Sequence, residues 1–378
     1  MDACVSDVIR MVNDVAPEDY AEEWDNVGLQ VGDPGATVRH LAVALGITSA
    51  VMEQAMTAGV DMLLTHHPLI FQPLGSVRSD DATGPRLMDL VKANMVLYCA
   101  HTNLDAVNMG PSGVLAQELD LQDSVPLVPR QDLLKIAVFV PRSELQDVRL
   151  SLGRAGAGQI GNYSHCSFVT EGEGTFTPGP GSDPFIGVPG QWTRVEEARV
   201  EAILPRHLLS RVLAAVRASH PYEEPTIDVW PLLLDRRSVG MGRIGDLSRP
   251  RTYEEVLERV SDLCGSRSLR VAGRLDEISR VAVCGGSGAD LWKRALHLGA
   301  DLYLTGDVSY HVAEDAVASG LVMVDPGHAA TEEGCIPVVA DYLRERMDRE
   351  SLDCEVTVLG PVQDPWGGSF RHPGDPLL

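Results

Sequence analysis

A chain of 378 residues with 44% hydrophobic content is too long for one ordinary core, so two or three domains are expected. With 31 basic against 54 acidic residues the formal net charge is −23, a balance that argues against nucleic acid and anionic membranes as partners. No apolar run reaches the ~18–20 residues that span a bilayer, the acidic start MDACVSDVIRMVNDVAPEDY lacks the build of a signal peptide, and seven scattered cysteines without a C-x-x-C pair fit a reducing, cytoplasmic setting.

In chain order, residues 41–45 read as a short apolar strand. Residues 49–58 have helical spacing, with Val51, Met52, Ala55 and Met56 on one face and Gly59 as the stop. A second strand at 61–65, a helix at 85–94 and a third strand at 95–99 follow. Cys99 lies inside the third run and, like Cys284, reads as a buried thiol. Continuous apolar strands alternating with helices predict a parallel sheet covered on both faces, hence an α/β fold.

The stretch 134–234 differs. LKIAVFVP reads as a strand, SELQDVRLSLGRAG as a helix and TPGPGSDPFIGVPGQW as a loop. VEEARVEAIL, PRHLLSRVLAAVRASH and TIDVWPLL then read as strand, helix and strand. This β-α-β…β-α-β order fits a ferredoxin-like inserted domain. The Pro/Gly-rich tail, 361–378, is expected to lie over the surface.

The far half repeats the near half. A shift of 240 carries AGVDMLLTHHP onto LGADLYLTGDV, Gly46 onto Gly286 and Asp61 onto Asp301. A shift of 227 carries His101-x-x-x-Asp105 onto His328-x-x-x-Glu332, each pair after an apolar strand. The 13-residue difference is a change of loop length. Two ordered matches predict a duplication, with lobes at 1–130 and 240–360.

His66 and His67 leave a strand together and point to opposite sides, so they suit two metals better than one. As an isolated pair they also fit packing or solvent. The pairs His101/Asp105 and His328/Glu332 change the balance: i and i+4 in a helical turn share a face, so each pair can bite one site. All three clusters follow strand ends, where open α/β sheets place ligands. Imidazole and carboxylate without thiolate suit zinc, iron, manganese or cobalt. Two divalent ions ~4 Å apart repel by roughly 17 kcal/mol at an effective dielectric near 20, which bridging anions must offset. Asp105 and Glu332 leave such a pair net positive, so a small anionic substrate such as a phosphate is expected.

Other residues stay open between two readings. His101 is either a proton shuttle, the one candidate catalytic residue, or a neutral hydrogen-bonded histidine. The Cys284-Gly-Gly-Ser-Gly288 segment is a phosphate cradle or a tight turn. Trp24-Asp25-Asn26 forms a site rim, or a loop with a buried indole. Asp307 and His311 contact substrate or begin a capped helix. His220-Pro-Tyr-Glu-Glu-Pro looks more like a subunit contact than a metal site.

Jointly, EEWDNVGLQVGD, LLTHHPLIFQPL, AHTNLDAV, GADLYLTGDVSYH and VDPGHAATE resemble the Nif-three-like family, often labelled GTP cyclohydrolase I type 2 homologs, over about 14–345. The insert resembles that of the longer bacterial members, a CutA/PII-like module. The resemblance implies two Nif-three-like lobes and two divalent metal ions per chain. It implies His66, His67, Asp105, His328 and Glu332 as ligands, with the glutamate bridging. It also implies toroidal homohexamers with metal sites facing an inner cavity, and metal-dependent hydrolysis. The label implies GTP ring opening, although no residue here identifies guanine recognition. The alternatives are a non-enzymatic metal-handling or regulatory hexamer, and a scaffold whose insert binds partners. One departure stands out: the family often has an aspartate in its "LDVT" segment, where this chain reads Leu45-Gly46-Ile47-Thr48.

Overall fold

The short apolar runs fold as parallel strands because both of their faces find a covering layer. The computed structural model describes residues 1–130, 132–234, 239–265, 269–361 and 365. The chain separates into two units, Met1–Pro129 with Arg237–Leu378, and Arg130–Arg236. Apart from Pro361 and Pro365, the tail at 361–378 lies outside the described residues. No helix among the described residues is long and apolar enough to cross a membrane.

The first unit holds two main sheets. One runs Glu355–Val358, His40–Ala44, Met62–Thr65, Val96–Cys99, Gly28–Val31; its first four strands are parallel and the last is antiparallel. The other runs Arg270–Ala272, Val322–Asp325, Leu302–Leu304, Glu277–Val283, Arg243–Thr252, Leu121–Val125. Its three parallel strands, Val322–Asp325, Leu302–Leu304 and Glu277–Val283, are flanked by antiparallel ones. Alternate residues feed opposite cores. Leu41, Val43, Met62 and Leu64 pack on one face, and Ala42, Ala44 and Leu63 on the other. Val281, Val283, Leu302 and Leu304 repeat the first set in the second sheet, and Ala282 and Tyr303 the other.

The register follows the repeat. Leu41 pairs with Met62 and Val281 with Leu302, a shift of 240 on both strands. Leu64 pairs with Tyr98 and Leu304 with Val324, so the third strand is shifted by 226. The extra residue that makes 227 at His328 enters after the strand, in the segment holding Gly327 at φ 106°. The helix Ser49–Ala58 matches its expected span: Thr48 Oγ1 accepts from the Val51 amide at 3.2 Å, and Gly59 closes it at φ 66°.

Neither sheet is built from one continuous stretch. Strand Leu121–Val125 from the near half joins the far sheet, and Glu355–Val358 from the far half joins the near one. The helix Cys335–Glu350 follows the same exchange, burying Ile336, Val339, Leu343 and Met347 in the core that holds Leu41 and Leu64.

The second unit has strands Leu133–Pro141, Phe168–Phe176, Thr193–Pro205 and Ile227–Pro231 and helices Leu145–Arg154 and Leu209–Ser219. Its antiparallel sheet runs Phe168–Phe176, Thr193–Pro205, Leu133–Pro141, Ile227–Pro231. The strand Phe168–Phe176 fills the one place in the β-α-β…β-α-β order for which the sequence reading names no residues. It is an edge strand with mostly exposed side chains, so its residues carry no apolar alternation. His220 is buried within this unit rather than standing at its surface: its Nε2 lies 2.9 Å from Phe139 O, and its Nδ1 accepts from the Tyr222 amide at 3.0 Å.

Candidate metal centre

Three loops leave the carboxyl ends of parallel strands and converge. His66 and His67 follow Met62–Thr65, and their amides donate to Ala44 O at 3.2 Å and Leu45 O at 2.7 Å, which ties both to the neighbouring strand. After Val96–Cys99 the four-residue helix Thr102–Asp105 delivers Asp105, with His101 at its N-cap. After Val322–Asp325 comes His328, and the 3₁₀ turn Ala329–Thr331 leads to Glu332.

The carboxylate of Glu332 sits among the histidines of both halves. Its Oε1 is 3.6 Å from His66 Nε2 and 3.3 Å from His328 Nε2, and its Oε2 is 2.9 Å from His67 Nε2. Asp105 Oδ1 stands 3.6 Å from His66 Nε2. His66, Asp105 and Glu332 are buried, whereas the side chains of His67 and His328 are 33% and 36% exposed. The ligating atoms of His67, His328 and Glu332 lie within 4.8 Å of one another, as do those of His66, His67 and His101, and either spacing could hold a metal ion. His101 does not close on Asp105 as a helical pair would. The turn itself closes, since the Asp105 amide donates to His101 O at 3.0 Å, but at φ −108° and ψ −105° the cap residue sends its ring to Asp25. Its ring instead lies 5.1 Å from that of His66 and 5.8 Å from that of His67.

The donor set fits a cation. His66 Nε2, His67 Nε2, Asp105 Oδ1 and Glu332 Oε2 are buried atoms without a hydrogen-bond partner of acceptable geometry. Each such atom costs about 1–3 kcal/mol if left so, and four converging in one place call for a common partner. Burial pushes the Asp105 carboxyl up to about 7 against the pull of His66. Burial also opposes ionisation of Glu332, but the imidazoles of His328, His66 and His67 outweigh it and hold the carboxyl well below its usual range. Glu332 and then Asp307 raise His328 to about 9 against its burial.

Partners behind the imidazoles fix their tautomers. His66 Nδ1 donates to Ala100 O at 3.0 Å, and His328 Nδ1 to Asp307 Oδ2 at 2.7 Å. His101 Nδ1 donates to Asp25 Oδ1 at 2.9 Å, while Asp25 Oδ2 accepts from the Thr102 amide at 3.0 Å. Burial resists ionisation of Asp25, but the bonds from His101 and Thr102 prevail and hold it far below the usual carboxylate range. The sequence offers Asp25 as part of a site rim and Asp307 as a substrate contact or helix start; their bonds to His101 and His328 are not legible there, and their places within the WDN and LTGD motifs are the only signal.

The open alternatives divide. Trp24 is 59% exposed and Phe71 43%, with ring centroids 5.9 Å apart and each about one ring from His101, so the WDN loop forms a rim. In the glycine segment the amides of Gly285, Gly286 and Gly288 donate to Ser112, Thr331 and Thr305 hydroxyls, which leaves a tight turn rather than a cradle. Ser309, not Asp307, caps the next helix, and His311 lies exposed on it beside Glu314.

Two α/β sheets joined around a buried histidine–carboxylate cluster define a class of chain that can hold metal between its halves. The profile of the Duf34/NIF3 (NGG1p interacting factor 3) family matches residues 3–365, and the chain belongs to that family. A relative from Halalkalibacterium halodurans, named "GTP cyclohydrolase 1 type 2 homolog", is 40% identical over 362 residues, covering 95% of this chain and 97% of its own. One of the same name from Mycobacterium tuberculosis is 37% identical over 374 residues, 97% of each. The crystal structure of a Bacillus cereus protein related to NIF3 superposes with a TM-score of 0.85 at 38% identity, covering 97% of this chain and 99% of that one.

Proposed function

We propose that this chain holds two divalent metal ions, drawn from zinc, iron, manganese and cobalt, and acts as a metal-dependent hydrolase on a nucleotide or related phosphate compound. His66, Asp105 and Glu332 would hold one ion, and His67, His328 and Glu332 the other. The observation that carries this is that the Glu332 carboxylate lies between the buried, unpartnered Nε2 atoms of His66 and His67, with the unpartnered Asp105 Oδ1 beside His66. The relatives' printed name, "GTP cyclohydrolase 1 type 2 homolog", supports the hydrolytic class. The lobes at 1–130 and 240–360 are then two duplicated Nif-three-like halves. The inserted unit, 134–234, is a ferredoxin-like, CutA/PII-like module, supported by its sheet order.

A divalent pair held by these residues would supply Lewis-acid polarisation and activate water. The chain's own residues do the rest. Asp25 holds His101 with hydrogen on Nδ1, which leaves Nε2 as the nitrogen that takes or returns a proton. Trp24 and Phe71 wall the approach to His101. The half-exposed His67 and His328 favour a second reading, a metal-handling or regulatory role in which an ion is exchanged.

Hydrolysis of nucleoside triphosphates, cyclic nucleotides and phosphodiesters decides between them, with parent and His67→Ala chains prepared identically. Turnover that disappears on chelation and in His67→Ala is expected. Equal rates in both chains would remove the hydrolase reading for those substrates and leave metal handling.

A further inference from the structure

We propose that the two metal positions are unequal, and that the one served by His67 and His328 is exchangeable because Gly46 leaves His67 without a partner behind its ring. The proposal rests on the two-ion reading above. Three of the four imidazoles in the cluster have an acceptor at Nδ1: Ala100 O for His66, Asp25 for His101 and Asp307 for His328. Among the described residues, His67 Nδ1 has none.

The reason lies in the neighbouring strand. The His67 amide donates to Leu45 O at 2.7 Å, which places residue 46 against the ring. A Cβ built on Gly46 would stand 3.4 Å from both Cβ and Nδ1 of His67, with no closer atom. Gly46 has no positive φ, so its backbone does not demand glycine. A carboxylate on residue 46 would reach Nδ1, and glycine supplies no protein acceptor there. An outer acceptor orients a ligating imidazole and raises its basicity, and losing one lowers metal affinity by about 10- to 100-fold.

Burial points the same way. His66, Asp105 and Glu332 have side chains 0%, 12% and 4% exposed, whereas His67 and His328 are open to solvent by about a third. An ion at the inner position must leave through the protein, and one at the outer position meets water directly. Occupancy of the outer position then follows the ambient metal concentration while the inner ion stays.

Zinc is the probe. Parent, Gly46→Ala and Gly46→Asp chains are saturated, their zinc is counted, and a chromophoric chelator is titrated in. Parent and Gly46→Ala should lose one ion at chelator concentrations about 10- to 100-fold below those needed in Gly46→Asp, with the second ion retained. An anomalous-scattering map of the half-stripped parent should show the remaining zinc at His66, Asp105 and Glu332. Release of both ions together, residual zinc at His67 and His328, or a Gly46→Asp chain that behaves as Gly46→Ala overturns the proposal. A parent that takes up fewer than two zinc ions at saturation defeats the two-ion reading itself, and the count shows this before chelator is added. If either variant does not fold, the map of the parent decides alone.

Discussion

His220 commits both ring nitrogens to bonds that only the neutral imidazole makes: Nε2–H donates to Phe139 O, and Nδ1 accepts from the Tyr222 amide. Burial lowers its pKa below the ordinary 6.5, outweighing Phe139 O and Glu197. The unfolded chain therefore takes up a proton first as the pH falls. Stability of the inserted unit is full above about 6.5 and declines as the pH drops through that value towards the folded pKa. The thermal midpoint should fall more between pH 7 and 5 in the parent than in His220→Gln; parallel slopes would refute this. At the metal centre, Gly286 has φ +64°, and a Cβ there would collide with the Glu332 carboxylate. Gly286→Ala should cost about 1–2 kcal/mol for the backbone alone. It should also weaken both metal positions, because it displaces the residue they share. Unchanged metal affinity would separate Gly286 from the centre.

At the scale of elements, one clamp is used twice. Asp61 Oδ2 accepts from the amides of Arg39 and His40 at 2.8 and 2.9 Å, and Asp301 Oδ2 from those of Ser279 and Arg280, both at 2.8 Å. Asp61→Ala and Asp301→Ala should each destabilise the chain by about 1–3 kcal/mol in denaturant titrations; a loss in only one would break the equivalence of the halves. Much of this symmetry was legible in the sequence, since apolar strands buried on both faces and the glycine that ends a helix leave local marks. The rest was not, for physical reasons. The strand Phe168–Phe176 reads FVTEGEGTF, whose glycines and glutamates have low strand preference, and it is held by its neighbour's backbone rather than by its own pattern. The bond from His101 to Asp25 spans 76 residues, and no periodicity reports such a contact. The exchange of Leu121–Val125 and Glu355–Val358 between sheets is likewise a property of pairing at long range.

For the whole molecule, we propose the homohexamer that the family resemblance implies. Leu74, Val77 and Val91 line one apolar groove and are 43%, 50% and 68% accessible; exposed apolar surface of this kind can be covered by a protein partner, which in the proposed assembly is another copy. Light scattering should give six times 40.8 kDa, about 245 kDa; a monodisperse monomer at micromolar concentration would contradict it. The central claim is that one carboxylate, Glu332, holds two ions between two halves. Metal analysis of purified parent, Asp105→Ala and Glu332→Ala chains tests it most directly. Two ions per parent chain are expected, with selective weakening of one in Asp105→Ala and loss of both in Glu332→Ala. Two tightly held ions in Glu332→Ala would contradict it.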